Sequence, residues 1–189
     1  MIHLDFTLKE YIDIWNEDGT PSGKSALKNE AHKKGWFHPT VHVWMYTHEN
    51  KILLQQRGAH KETFPSFWDV SVAGHVMAGE TILEAAIREV NEEIGIHILP
   101  TELIQVDIRK NVNIHSNGIK DCEFQHVFLC KLNTAIENLT IQKEEVDGIE
   151  LLSLEKFKFY TENRNENFKL VPADYTYYEF IIDQVTQRL

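Results

Sequence analysis

Three glutamates, Glu89, Glu92 and Glu93, stand three and four residues apart in ETILEAAIREVNEEIGI, the run from Glu80 to Ile96. On a helix such positions are neighbours, and like charges there cost roughly 0.2–0.5 kcal/mol per pair. A cation held among them reverses that cost. Hard oxygen donors suit Mg²⁺ or Mn²⁺, which keep several waters and bridge to substrate phosphates. A solvated acidic face is the ordinary reading of such a helix taken alone, so the residues around it decide.

The helix that must carry these side chains is well specified. Leu83, Ala86, Ile87, Val90 and Ile94 recur at helical spacing and give an apolar face opposite the glutamates. Thr81 followed by Glu84 fits a capping box, and Gly95 supplies a C-terminal stop. The helix is expected from residue 81 to about residue 94.

Upstream, YIDIW (Tyr11–Trp15) alternates as a short strand and runs into the turn formers NEDGTPSG. Residues 24–34 are expected to be helical or irregular and to end at Gly35. TVHVWMY (residues 40–46) and KILLQQR (Lys51–Arg57) read as strands joined by a hairpin at Glu49 and Asn50. WDVSVAG reads as a third strand after a loop containing Pro65. Further strands are expected at residues 103–113, 123–132 and around 148–152, and an amphipathic helix at residues 173–188. Strands mixed with two or three helices, without a repeat or a dividing linker, predict one α+β domain over residues 1–189, an α/β/α sandwich.

Composition narrows the partners. A formal net charge of −10 over 189 residues argues against nucleic-acid polymers and anionic membranes, which need clustered Lys and Arg. A small anionic substrate stays compatible when a bound metal supplies local positive charge. Two cysteines, Cys122 and Cys130, give no disulfide framework. The N-terminal run MIHLDFTLKEYIDIW lacks a basic-then-apolar signal layout, and no apolar run approaches the roughly 18 residues of a membrane span. A cytoplasmic protein is expected. DGTPSGKS imitates a phosphate-binding loop, but the position five before Gly23 is Asp18 rather than glycine, so a hairpin is the better reading.

The glutamates sit in a longer pattern. Gly74, Glu80, Arg88, Glu89, Val90, Glu92, Glu93, Gly95 and Ile96 fill every fixed position of G-x5-E-x7-R-E-U-x-E-E-x-G-U, with U aliphatic. Residues 74–96 are thereby identified as a Nudix box. The resemblance implies a loop–helix–loop motif in a mixed-sheet α/β/α sandwich, and cleavage of a diphosphate bond by in-line attack of metal-activated water. It implies Mg²⁺ or Mn²⁺ on Glu92 and Glu93, with Glu89 a ligand or the base that orients water. Arg88 would pair with a carboxylate, Glu80 would anchor the loop, and Gly74 and Gly79 would allow its tight path. The resemblance allows a homodimer without requiring one.

Outside the box, YIDIWNEDGTPSG, EAHKKGWFHPTVHVW, KILLQQRGAHKETFPSFWDVSVAGH and DCEFQHVF resemble isopentenyl-diphosphate isomerase, a Nudix-fold enzyme. That family's metal site of three histidines and two acids maps onto His32, His38, His75, Asp121 and Glu123, with Asp121 where the family usually has Glu. Such a donor set implies a second metal, Zn²⁺ or Mn²⁺. Arg57 and Lys61 match positions near the diphosphate, and Lys28 is a weaker candidate.

Three departures favour hydrolysis over isomerisation. The isomerase uses a cysteine directly before the first box glycine, and this chain has Ala73, whose methyl group moves no proton. The isomerase's Nudix helix is degraded, whereas this one is intact. Its C-terminal tryptophan has no counterpart here. A diphosphate isomerase and an inactive ligand sensor are the alternatives. Trp68 reads as core packing, and so do Tyr175, Tyr177, Tyr178 and Phe180, which otherwise would line the pocket.

Overall fold

The computed structural model describes residues 10–163 and 165–189, and of Tyr175 the backbone alone. β1 (Tyr11–Trp15) and β2 (Pro21–Leu27) form a hairpin, and α1 (Lys28–Lys34) follows. Next come β3 (His38–Tyr46), β4 (Lys51–Arg57), the short β5 (Trp68–Asp69) and β6 (Val72–His75), then α2 (Ile82–Ile94). β7 (Leu103–Ile114), β8 (Lys120–Lys131), β9 (Val146–Ser153), α3 (Leu154–Glu162) and α4 (Tyr175–Thr186) complete the order. Residues 1–9, including the start of the run judged to lack a signal layout, lie outside the described residues.

The main sheet runs β5-β4-β3-β8-β7, with β6 also on β3 and β9 also on β4. β3 and β8 pair in parallel and the other pairs are antiparallel, so the sheet is mixed. Alternation along its strands feeds two cores. Val41, Val43, Met45, Leu53, Phe128 and Cys130 pack with Ala85, Ala86, Val90 and Ile94 of α2. Trp44, Ile52, Leu54, Val127 and Leu129 pack on the other side with Phe157 of α3 and Tyr177, Tyr178, Ile181 and Val185 of α4. Each such side chain contributes roughly 1.5–3 kcal/mol when fully buried. Helices cover both faces, which is the expected α/β/α sandwich of an α+β Nudix fold.

Several elements differ from the sequence expectation. Residues 24–34, read as helical or irregular, divide into the end of β2 and a helix that starts only at Lys28. Pairing of β2 with β1 overrides local propensity there. WDVSVAG is two strands, one on β4 and one on β3. Ser71 causes the break: its hydroxyl donates to Leu53 O at 2.5 Å and accepts from Met45 N–H at 2.8 Å. It thereby bridges β3 and β4, which pair directly only at Tyr46 and Ile52. Helix α3, capped by Ser153, has no counterpart in the sequence reading.

The DGTPSGKS run divides between the β1–β2 turn and the start of β2; in the turn Asp18 Oδ1 accepts from Thr20 N–H at 3.0 Å and Gly19 has φ 85°. Cys122 and Cys130 are free and buried. Among the described residues, no helix is long and apolar enough to cross a membrane.

Candidate active site

Both ends of α2 are fastened. Thr81 Oγ1 accepts from Glu84 N–H at 3.3 Å, and Glu84 Oε2 accepts from Thr81 N–H at 2.9 Å. Gly95 closes the helix with φ 74°, and a Cβ there would stand 2.9 Å from Thr140. The buried face is Ala85, Ala86, Val90, Glu93 and Ile94, with Ile82 and Ile87 packed against it. Leu83, assigned to that face by spacing, is instead 42% exposed. The face is rotated so that Glu93, rather than Leu83, turns inward.

The three glutamates are therefore unlike one another. Glu93 is 4% exposed, and its Oε2 accepts from Gln55 Nε2 and from Ala73 N–H, each at 3.2 Å. Glu89 is mostly buried, and its carboxylate lies over Gly74, where a Cβ would stand 2.1 Å from it. Glu92 is half exposed. Arg88 ties the group together. Its Nη1 donates to Glu89 Oε1 at 2.7 Å and to Glu92 Oε2 at 3.0 Å. Nε and Nη2 make a two-point bond to Glu80 at 2.9 Å, and Nη2 also reaches His75 O at 2.9 Å. Glu80 in turn accepts from Met77 N–H at 3.0 Å, which ties the loop before α2 to the helix. Gly79, with φ 80°, donates from its N–H to Asp13 Oδ2 at 3.0 Å.

Arg88→Met leaves the carboxylates of Glu80 and Glu89 without their charge partner while keeping much of the side-chain packing. We expect a loss of about 2–4 kcal/mol in urea unfolding of the metal-free protein at pH 8, part of the cost of breaking a buried ion pair.

Burial raises the proton affinity of two of these glutamates. It pushes Glu93 from 4.5 up to about 8, with the Glu89 charge adding to the effect, and it raises Glu89 as well. A carboxyl whose folded pKa is raised gives stability that is complete below its unfolded pKa and is lost as pH climbs through the folded value. Histidines in the unfolded chain lose their protons near pH 6.5, so above that the buried histidines add no opposing slope. Without metal, the Tm is expected to fall from about pH 6.5 to pH 8, and the Glu93→Gln variant to show a flatter profile. Thermal scans in chelator across that range check it.

A second cluster forms where α1, β3, β6 and β8 meet. The ligand atoms of His32, His38 and His75 all lie within 4.8 Å of one another. His32 Nε2 and His75 Nε2 face each other at 2.9 Å. His38 Nε2 is buried without a partner among the described residues, while its Nδ1 stands 2.9 Å from Trp36 O. Burial lowers His38 to about 4 and His75 well below the usual imidazole range. Neutral rings with inward nitrogens are the state that metal binding requires. Asp121 approaches His32 Nδ1 at 2.9 Å, and Glu123 is the cross-strand partner of His38. Burial, and next the Asp121 charge, raise Glu123. His115 stands outside every sequence pattern, yet its Nε2 lies 2.6 Å from Asp121 Oδ2. Its only signal is its place on the β7–β8 hairpin, near Asn113, the partner of Asp121.

Glu89, Glu92 and Glu93, together with His32, His75, Asp121 and Glu123 of the second cluster, line one cavity of about 820 Å³, which also takes in Arg57, Lys61 and Lys28; the fully buried His38 lies behind its wall. All three cations are engaged. Arg57 donates to Asp69 at 2.9 Å and through Nε and Nη2 to Thr63 O at 3.1 Å, which ties down the loop after β4. Lys61 is paired with Glu145, and Lys28 with Glu10 at 2.6 Å. Trp68 stacks on Phe168 at 4.8 Å, and Tyr177, Tyr178 and Phe180 pack from α4 against the core. The side chain of Tyr175 lies outside the described residues.

The oxygen donors on α2 fit a hard divalent cation, and the three grouped imidazoles fit a borderline one, with Asp121 on the outer nitrogen of His32. Comparison with known proteins bears on the family and the fold. The family profile of the NUDIX domain matches residues 36–173. An uncharacterized Nudix hydrolase of Clostridium acetobutylicum is 35% identical over 159 residues, 82% of this chain and 76% of the relative. An isopentenyl-diphosphate Delta-isomerase of Shigella boydii is 31% identical over 129 residues, 68% of this chain and 70% of the relative. The crystal structure of a Deinococcus radiodurans protein superposes with a TM-score of 0.65 at 20% identity, over 93% of this chain and 98% of that one, and so supports the fold.

Proposed function

The chain belongs to the Nudix family, and from that premise we propose a divalent-metal-dependent pyrophosphohydrolase that cleaves the diphosphate linkage of a nucleoside-diphosphate derivative or a similar small organic diphosphate. The convergence of Glu89, Glu92 and Glu93 on one cavity wall carries the reading, because among the described residues buried Glu93 is hydrogen-bonded only to the neutral groups of Gln55 and Ala73. Those three glutamates would hold Mg²⁺ or Mn²⁺. Bound there, such a cation neutralises diphosphate charge and acidifies water.

The remaining work falls to the chain itself. Arg88 fixes the rotamers of Glu89 and Glu92, and Glu80 fixes Arg88. Burial raises the proton affinity of Glu89 and Glu93 toward the range in which a carboxylate takes a proton from water near neutral pH. His32, His38, His75, Asp121 and Glu123 would hold a second cation, Zn²⁺ or Mn²⁺. Arg57, Lys61 and Lys28 line the same cavity, and Lys61 and Lys28 would exchange their carboxylate partners for substrate phosphates.

The histidine group also favours a second reading, diphosphate isomerisation. Ala73 opposes it, since its methyl stands where a proton-transferring thiol would be required. A panel of nucleotide sugars, dinucleotides, nucleoside triphosphates and isopentenyl diphosphate, with Mg²⁺ or Mn²⁺, separates the two. Phosphate species released from a panel member support hydrolysis. Double-bond migration in isopentenyl diphosphate without phosphate release supports isomerisation.

A further inference from the structure

His42 lines the same cavity beside Ala73, its cross-strand partner on β6. It belongs neither to the glutamate face nor to the three-histidine group. Its hydrogen bonds determine where its proton sits. Trp44 Nε1 can only donate, and it donates to the Tyr177 hydroxyl at 2.9 Å. The same oxygen lies 2.9 Å from His42 Nδ1. Tyr177 is buried, and its hydroxyl has no other partner among the described residues. A proton on Nδ1 would leave the phenolic hydrogen buried with no acceptor, which is costly. The hydroxyl therefore donates to Nδ1, and the neutral ring carries its proton on Nε2. Burial pushes His42 down to about 4, so the ring stays neutral at pH 7.

Nε2 itself has no partner among the described residues, and it is not one of the sealed, unsatisfied atoms of the core. It is a free donor on the cavity wall. The Ala73 N–H opposite holds Glu93 Oε2 at 3.2 Å, so His42 stands one cross-strand pair from the carboxylate proposed to hold the metal. A neutral donor there does not repel a divalent cation, and a protonated Nε2 cannot ligate one. The neighbouring guanidinium of Arg57 is already spent on Asp69 and Thr63.

We propose that His42 Nε2–H is a hydrogen-bond donor to a phosphoryl oxygen of the substrate diphosphate, held in that tautomer by Tyr177 and Trp44. The proposal rests on the diphosphate-hydrolase reading above. A donor to a charged oxygen is worth about 10- to 100-fold in affinity.

The test uses Mg²⁺ with methylenediphosphonate, a diphosphate that resists cleavage, and nitrogen-resolved NMR of the wild-type protein. The free protein is expected to show His42 protonated at Nε2 and bare at Nδ1. Addition of the probe is expected to shift both His42 Nε2–H and the Ala73 amide. His42→Leu is expected to weaken the probe by about 10- to 100-fold, and His42→Gln, whose amide nitrogen can occupy the Nε2 position, to restore most of it. A shift at Ala73 without one at His42, or equal weakening by Leu and Gln, overturns the role of His42 and leaves the hydrolase reading intact. No shift at either position overturns the diphosphate reading, and this proposal with it.

Discussion

Replacing Glu93 by Gln is expected to lower kcat by about 10²- to 10³-fold, the range for losing one preorganised group that stabilises developing charge. The same substitution should leave the metal-free fold intact or make it more stable at pH 8. Both effects have one cause. Glu93 is 4% exposed, burial pushes its carboxyl up to about 8, and its partners are the neutral Gln55 amide and the Ala73 N–H. Glutamine reproduces the shape and acceptor of the protonated acid, so both hydrogen bonds survive. The anion a cation requires is lost. Added Mg²⁺ should therefore raise the Tm of the wild type by mass action and leave the variant nearly unmoved. Activity assays paired with thermal scans check the combination, and a merely structural glutamate would lose stability and activity together.

Gly74→Ala is expected to reduce kcat by about 100-fold for a steric reason. A Cβ at position 74 would stand 2.1 Å from both Glu89 Cδ and Oε1. The carboxylate must leave, and in leaving it breaks the 2.7 Å bond from Arg88 Nη1. Stability should fall by only about 1 kcal/mol, because Glu89 can swing towards the cavity and a single ion pair is at stake. Kinetics and urea unfolding of the variant check the pair of effects. Equal rates would mean that the Glu89 position does not matter. A deep loss of stability would mean that the glycine serves the fold rather than the carboxylate.

The helix and its caps were legible in the sequence because spacing, Thr81, Glu84 and Gly95 all specify the same segment. Alternation also placed most of the strands. The inward turn of Glu93 was not legible, because a charged residue beside Ile94 reads as part of a polar face. Only the tertiary positions of Gln55 and Ala73 give it partners. The break in WDVSVAG depends on Ser71 bonding two strands that are close only in the fold. Helix α3 carries a weak apolar pattern and is defined by packing through Phe157. His32, His38, His75, Asp121 and Glu123 were traceable through a family resemblance, and the fold brings them together at the junction of α1, β3, β6 and β8. His115 and His42 had no such pattern. Their roles arise from Asp121 and Tyr177, neighbours that lie across a hairpin and 135 positions along the chain.

On the proposed reading, the α2 glutamates hold a cation that makes diphosphate cleavage possible. The most direct test is phosphate release from the diphosphate panel by wild type and Glu93→Gln, each with Mg²⁺ and with chelator. Release is expected from the wild type only when the cation is present, and from the variant at least about 100-fold more slowly under the same conditions. Wild-type turnover that persists in chelator, or equal turnover by Glu93→Gln, would contradict that reading.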